Sequence, residues 1–447
     1  MSMLERIAGS NRMSRYLELP ARLHMRPKST QISGEVVGDS MFRRQRDVMD
    51  HLISPTAKHF SFDGAGTGSA ARPTESVTPE DYDEVGWGEK SLLELSDSIR
   101  ACLRHDGSGG PDIPRLSSFL VAAVQDEAQW GQPTLDLATI EHARLDKLLA
   151  ELVHFGESLR AKNPHFRPVP AQELPLQLRI DVSNAKRLRR LWRRRFREQY
   201  FMMDQHRCAI LVEGGRLKDV SFDNSLAYDL GKWLTKVGDP ISELEGNLQF
   251  DPGHWWLNIT CAERDGIVAS SLETPTKGRY GITALPLLTG REEIIRPNVF
   301  KYIREGRAAD MHNSLIGQVG RQIRVLRGYR LRSIVAPQAG IRYDGLFTIR
   351  QYGYKQDNKT NVYRLELTLE RVPEQKKSQE EIEDIPRPSQ LDDWALYEKL
   401  EGDQIKLLKG ETTYLGWKLR RQEEKIDRDE WRRAQLFRAS FEPIGGV

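Results

Sequence analysis

Cysteine is scarce in this sequence. Its three cysteines, Cys102, Cys208 and Cys261, lie far apart in 447 residues. No pair has the close spacing of metal ligands, which excludes zinc-built modules, and the sparse, odd count fits a reducing compartment. Long hydrophobic runs are missing as well. None approaches the roughly 18 residues that a membrane span requires, and the N-terminus, MSMLERIAGSNR, carries charge where a signal peptide needs an apolar core. Net charge is only +3, so overall charge selects no partner, and the apolar fraction, 38%, is low beside 29% charged residues. No Ser/His/Asp arrangement or phosphate-cradling glycine loop stands out. These absences predict a soluble intracellular protein of two or three domains, not an enzyme, with no cofactor, no metal and no membrane partner.

What is present falls into blocks. Residues 1–88 are rich in Gly, Ser, Thr and Pro, above all in Ser29–Ser40 and Asp63–Pro79. Such a stretch buries too little surface to offset its ordering entropy, so it is expected to be mostly disordered, with one short helix over Met41–Ile53. From Gly88 the period becomes helical. Leu92, Leu95, Ile99 and Leu103 recur at three and four, as do Leu116, Leu120, Val124 and Ala128. One long helix is expected over Leu137–Leu159, then a proline-rich loop over Asn163–Pro175, then a helix capped by Ser183 or Asn184 and running to Met203. That last helix places eight basic residues among the twelve from Lys186 to Arg197 around an apolar stripe of Leu188, Leu191, Trp192 and Phe196. It reads as a phosphate-binding or nuclear-localisation helix, or as an amphipathic helix with a solvated charged face. Cys208–Val212 is an apolar run, and another helix is expected over Asn224–Val237. The block 89–235 is therefore predicted to be a helical module.

Residues 241–373 read as β-rich. Strand candidates are Trp255–Cys261, Gly266–Ser270, Gly281–Leu288, Gln322–Tyr329, Leu346–Ile349 and Asn361–Val372. The last alternates Tyr363, Leu365, Leu367 and Leu369 with polar residues, the period of a half-buried strand. One short helix is expected over Ala308–Val319, and Tyr343-Asp344-Gly345 reads as a turn. Residues 374–390 read as a charged linker, and 391–447 as a charged helical tail with helices over Leu391–Leu408 and Glu411–Phe441.

Several segments of the β-rich block together resemble the SRA-YDG domain family. In chain order they are Pro252-Gly253-His254-Trp255-Trp256, Asp265-Gly266-Ile267-Val268-Ala269-Ser270, Gly278-Arg279-Tyr280, Val299-Phe300-Lys301-Tyr302, Ile323-Arg324-Val325-Leu326-Arg327, and Ala336-Pro337 followed by Ile341-Arg342-Tyr343-Asp344-Gly345-Leu346-Phe347. The resemblance covers about 130 residues, a usual domain size, and is similar to the domain of ubiquitin-like PHD and RING finger proteins, of plant SUVH-type histone methyltransferases and of fungal YDG proteins. It implies an α+β fold: a PUA-like SRA β-barrel with flanking helical segments.

The resemblance also implies a function. In the family the domain grips duplex DNA and flips a 5-methylcytosine into a pocket, which needs aromatic faces, a partner for the base's Watson–Crick edge, a thumb to fill the stack and basic residues for phosphates. Carried over, the base pocket comprises Val268 as thumb, Ser270, Arg291, Glu292, Glu293 and Tyr302. Arg304, Arg307, Arg321, Arg324 and Arg327 are the backbone contacts, while Arg342, Tyr343, Asp344 and Gly345 are mainly structural. The sequence departs from the family at Thr289-Gly290-Arg291, where a second pocket tyrosine is expected, and in the short loop Arg304–Arg307, where the family carries an Asn-Lys-Arg finger. RING and SET cysteines are absent. The implied reading is a nuclear reader of DNA, methylated at CpG or not, with histone or chromatin proteins as further partners. The alternative is a chromatin-associated interaction scaffold whose pocket has decayed.

Overall fold

The computed structural model describes residues 87–105, 107–108, 110–129, 133–161, 176–223, 232–236, 241–357 and 359–441. The expectations for residues 1–86, for the loop 163–175 and for the final residues lie outside the described residues, as does most of the helix expected over 224–237. The part of it that is described, Lys232–Thr235, is a strand paired with Val220–Asp223.

Apolar spacing builds the helical part. Helix α1 (Glu89–His105) buries Leu92, Leu95 and Ile99, and α2 (Ile113–Ala128) buries Leu116, Phe119, Leu120 and Val124. The single helix expected over 137–159 is two. α3 (Leu137–His142) is capped by the Asp136 carboxylate, which accepts from the Thr139 amide at 2.7 Å; α4 (Leu145–Ala161) starts after Arg144, whose φ of 56° breaks the helical path. The basic helix α5 (Leu176–Phe196) begins before the expected cap and ends at Arg197, where φ is 47°; α6 (Glu198–Glu213) follows and absorbs the apolar run at Cys208. Leu188 and Trp192 of α5 sit in the shared core, and the Trp192 indole donates to Glu127 at 3.0 Å.

After the hairpin β1 (Val220–Asp223) and β2 (Lys232–Thr235) comes the main sheet. Its strands are β3 (Trp255–Trp256), β4 (Thr276–Gly278), β5 (Gly281–Leu287), β6 (Arg291–Arg296), β7 (Val299–Gly306), β8 (Gln322–Gly328), β9 (Ile341–Asp357) and β10 (Val362–Arg371). The order is β4-β5-β8-β9-β10-β7-β6, with β3 also paired to β9; β5 and β8 run parallel and the other pairs antiparallel. The sheet is open, with β4 and β6 at its ends. The α+β class is as the family resemblance implies, but the β-barrel is not: among the described residues the sheet does not close.

Other differences are local. Only Trp255–Trp256 of the first expected strand is extended. Asn258 caps a helix there, α7 (Ile259–Arg264), by accepting from the Cys261 amide at 2.9 Å. Gly266–Ser270 forms bends, and 308–318 holds two 3₁₀ turns, Ala308–Met311 and Asn313–Gln318. β6 and β7 form a hairpin outside the strands expected from the sequence. The expected linker contains α8 (Gln379–Glu383), and its Ile382 and Ile385 are buried against the sheet. α9 (Pro388–Lys409) and α10 (Glu411–Phe441) follow within about three residues of their expected bounds. α9 is no loose tail. Asp392 pairs with the buried Arg100 of α1 at 2.8 Å, Asp393 pairs with Arg144 at 2.7 Å, and Tyr397 packs among the residues of the sheet core.

Candidate nucleic-acid interface

The centre of the sheet is where the Tyr-Asp-Gly segment lies, and it is not a turn. It runs inside β9 as a β-bulge: Val325 faces Gly345 and Leu326 faces Tyr343, so Asp344 is the extra residue. Gly345 has φ of +104°, a conformation that favours glycine, and a Cβ there would also displace the Gln375 amide, whose oxygen would lie 2.2 Å away. The bulge turns the Asp344 carboxylate inward, between two guanidinium groups. Arg327 donates to one oxygen at 2.6 Å and Arg342 to the other at 2.6 Å. Arg327 also makes a forked contact with Glu292, at 2.9 and 2.7 Å, and Glu292 accepts from the Ser333 hydroxyl at 2.7 Å. All four side chains are fully buried. Burial alone would raise the Asp344 carboxyl, but Arg342 and Arg327 outweigh it and hold the group below the usual carboxylate range. Arg342 reaches on to the Ile382 and Ile385 carbonyls at 2.8 and 2.9 Å, which ties the strap after β10 to the motif. Tyr343 is buried, with its hydroxyl on Asn247.

This network corrects two of the backbone contacts. Arg327 is buried between the rings of Phe300 and Phe347, its guanidinium carbon 4.6 and 5.0 Å from their centroids. Arg324 on the opposite face of β8 is likewise buried and donates to the Leu244 and Gly246 carbonyls at 2.6 and 2.9 Å and to the Ser242 carbonyl. With no carboxylate beside it, burial lowers its pKa to about 10. The physical reason is that β8 is covered on both faces, so every residue after Gln322 is inside. Neither arginine can touch a phosphate. Glu292 is likewise withdrawn from the pocket, because its oxygens are committed to Arg327 and Ser333.

The remaining pocket residues are dispersed. Val268 is buried in the core instead of standing out as a thumb, Ser270 is half-buried and accepts from the Leu272 amide at 3.1 Å, and Arg291 and Glu293 are exposed, 3.7 Å apart. Tyr302 is buried and donates to the Thr289 carbonyl at 3.1 Å; burial, aided by the charge of Glu273, pushes its pKa up. Arg304 lies 3.4 Å from Glu273, exposed Arg307 lies 3.5 Å from Asp310, and exposed Arg321 donates to the Tyr280 carbonyl.

Sequence reasoning missed the residue that occupies the centre of this region. The Glu273 carboxylate accepts from the Leu288 and Thr289 amides, each at 2.7 Å, and from the Thr289 hydroxyl at 2.6 Å. It thus occupies the two backbone amides of this loop, so neither is open to another acceptor. Its neighbour Leu272 projects instead, 62% exposed. A lone Leu-Glu pair in a Ser/Thr/Pro loop offers no periodicity, so nothing in the sequence marks either. α9 and α10 roof the same loop, leaving a cavity of about 390 Å³ lined by Thr289, Tyr329, Trp394, Tyr397 and Arg421. Among the described residues no cluster of His, Cys, Asp and Glu is arranged to hold a metal ion, and no helix is long and apolar enough to cross a membrane.

No family model matches the sequence, and neither does any curated protein. Solved structures do match. The SRA domain of SUVH5 in complex with hemi-methylated CG DNA is 16% identical, with 30% of this chain and 97% of that chain covered and a TM-score of 0.24. The modification-dependent restriction endonuclease TagI is 17% identical, covering 33% and 56%, with a TM-score of 0.26. SUVH6 of Arabidopsis thaliana, in complex with SAM, is 13% identical, covering 64% and 41%, with a TM-score of 0.25.

Proposed function

We propose that residues 241–373 form an SRA-type domain that grips duplex DNA along its backbone in the nucleus, without turning a base out of the stack. The observation that supports the family reading most strongly is spatial. Segments that resemble the family in sequence order meet at one place in the sheet: Trp255 and Trp256 pair with Arg342 and Ile341 of the motif strand, while Arg324–Arg327 pair with the same strand from its other side. Backbone gripping is favoured over flipping because the groups that would receive a base are spent. Glu273 fills the amides, Glu292 serves Arg327, and Tyr302 faces the core. The exposed basic side chains that would meet phosphates are Lys277, Arg291 and Arg307, with exposed Leu272, five residues before Lys277, as an apolar wedge. The two arginines would exchange the exposed Glu293 and the nearby Asp310, 3.7 and 3.5 Å away, for a phosphate. No catalytic role belongs to this reading.

The test is fluorescence anisotropy of the full chain with matched duplexes, unmethylated, hemimethylated and fully methylated at CpG, at two salt concentrations. Equal affinities that fall steeply with salt are expected. A tenfold or greater preference for a methylated duplex, lost in Tyr302→Ala, would restore the flipped base.

A second reading, a chromatin-associated interaction scaffold, rests on the outer face of α10. Leu415, Leu419, Ile426 and Leu436 are 46–57% exposed there and follow one another near helical spacing. A partner held by that face would bind with little dependence on salt, and histone or other chromatin proteins are the candidates.

A further inference from the structure

We infer that the arginine ridge of α5 is a second polyanion-binding surface, apart from the sheet, and that its ligand is the phosphate backbone of nucleic acid. Of the eight basic residues between Lys186 and Arg197, three are partly buried and engaged. Lys186 pairs with Glu157 at 2.8 Å, Arg195 pairs with Glu127 at 2.5 Å, and Arg189 reaches Tyr200. The other five, Arg187, Arg190, Arg193, Arg194 and Arg197, are exposed, and none forms an ion pair among the described residues. Arg187, Arg190 and Arg194 recur at three and four along α5, so they form one ridge, and Arg197 follows where the helix ends.

A solvated helix face explains this poorly. Arginines at three and four repel one another, and the helix dipole favours cations only in the last turn, which leaves Arg187 and Arg190 uncompensated. The sheet in the same chain shows the other outcome, with arginines matched to carboxylates and carbonyls. The ridge has the geometry of a ligand for a regular polyanion. Arg187 and Arg194 are seven residues apart, about 10 Å along the axis, the span of about three phosphates of one strand. At its end Phe201 is 68% and Met202 51% exposed, and the Arg193 guanidinium lies 5.8 Å from the Phe201 ring. Phe201 offers a face to an unpaired base, so single strands share the phosphate chemistry with duplex.

The experiment uses the full chain and its variant R187Q/R190Q/R194Q, with duplex and single-stranded oligonucleotides over a salt series. None of the three residues touches the core, so the circular dichroism spectrum should be unchanged. The expected result is at least a tenfold loss of affinity at 100 mM salt and a fall of about three in the slope of log K against log salt, near 0.9 for each lost phosphate contact with duplex. Phe201→Ala should weaken single strands more than duplex if both bind there. Unchanged affinity and slope would overturn the inference, as would loss of nuclear import with DNA affinity intact, which would assign the ridge to an import receptor. A companion variant, K277Q/R307Q, separates this from the sheet: if only that one loses DNA, the ridge proposal fails and the proposed function stands.

Discussion

Two arginine-rich stretches of this chain, with eight and five basic residues in twelve, meet opposite fates. Between Lys186 and Arg197, and again between Arg321 and Arg332, basic and apolar residues are interleaved. On α5 the period of 3.6 sends Leu188 and Trp192 to the core and most arginines to solvent. On β8 the side chains alternate between two faces, both covered, so Arg324 and Arg327 are carried inside whichever face they take. The difference teaches that an arginine count says nothing about phosphate binding until the layer geometry is known. A buried guanidinium must find carboxylates or carbonyls, and Arg327 and Arg342 find Asp344 only because the bulge aims it at them.

The comparison breaks most sharply under substitution. Asp344→Ala leaves two buried guanidinium groups short of a carboxylate and should cost about 3–5 kcal/mol in chemical denaturation, whereas R187Q/R190Q/R194Q should stay within about 0.5 kcal/mol of the parent. A small effect at Asp344 would mean that the network is solvated. Gly345→Ala should cost roughly 1–3 kcal/mol, since it strains φ and pushes the Gln375 amide off its hydrogen bonds to Leu346. Acid gives a third handle. Asp344 has a folded pKa below its ordinary value of 3.8, so its contribution to stability is present above that value and is lost as pH falls through the folded pKa. Stability should therefore drop below about pH 4, and Asp344→Asn should flatten that part of the profile. The smallest effect is expected at Tyr302→Phe, which removes one hydrogen bond to the Thr289 carbonyl and should cost about 1 kcal/mol by thermal unfolding, with no change in DNA affinity.

Much of the fold was legible where periodicity is strong. α1, α9, α10 and β10 follow directly from apolar spacing, and Leu365, Leu367 and Leu369 are buried as their alternation requires. Helix breaks at Arg144 and Arg197 were not legible, because a non-glycine residue at positive φ leaves no mark in the sequence. The β6–β7 hairpin had a signal: Pro297-Asn298 separates two β-rich runs, and Asn298 takes φ of 63°, a conformation asparagine tolerates. The candidate site was legible only as a neighbourhood. The family resemblance located the motif strand, but the destinations of Arg327 and Arg324 depend on partners 17 and 82 residues away, Asp344 for Arg327 and Ser242 for Arg324. The strap at Ile382 and Ile385 reads as a linker in the sequence because its charge hides two anchoring apolar residues.

The measurement that tests the central claim most directly is arginine-selective modification of the native full chain with phenylglyoxal, read by peptide mass spectrometry. The account predicts fast modification at Arg187, Arg190 and Arg194 and protection of Arg324, Arg327 and Arg342 until the protein unfolds. Modification of Arg324 or Arg327 at the rate of the α5 ridge would contradict it.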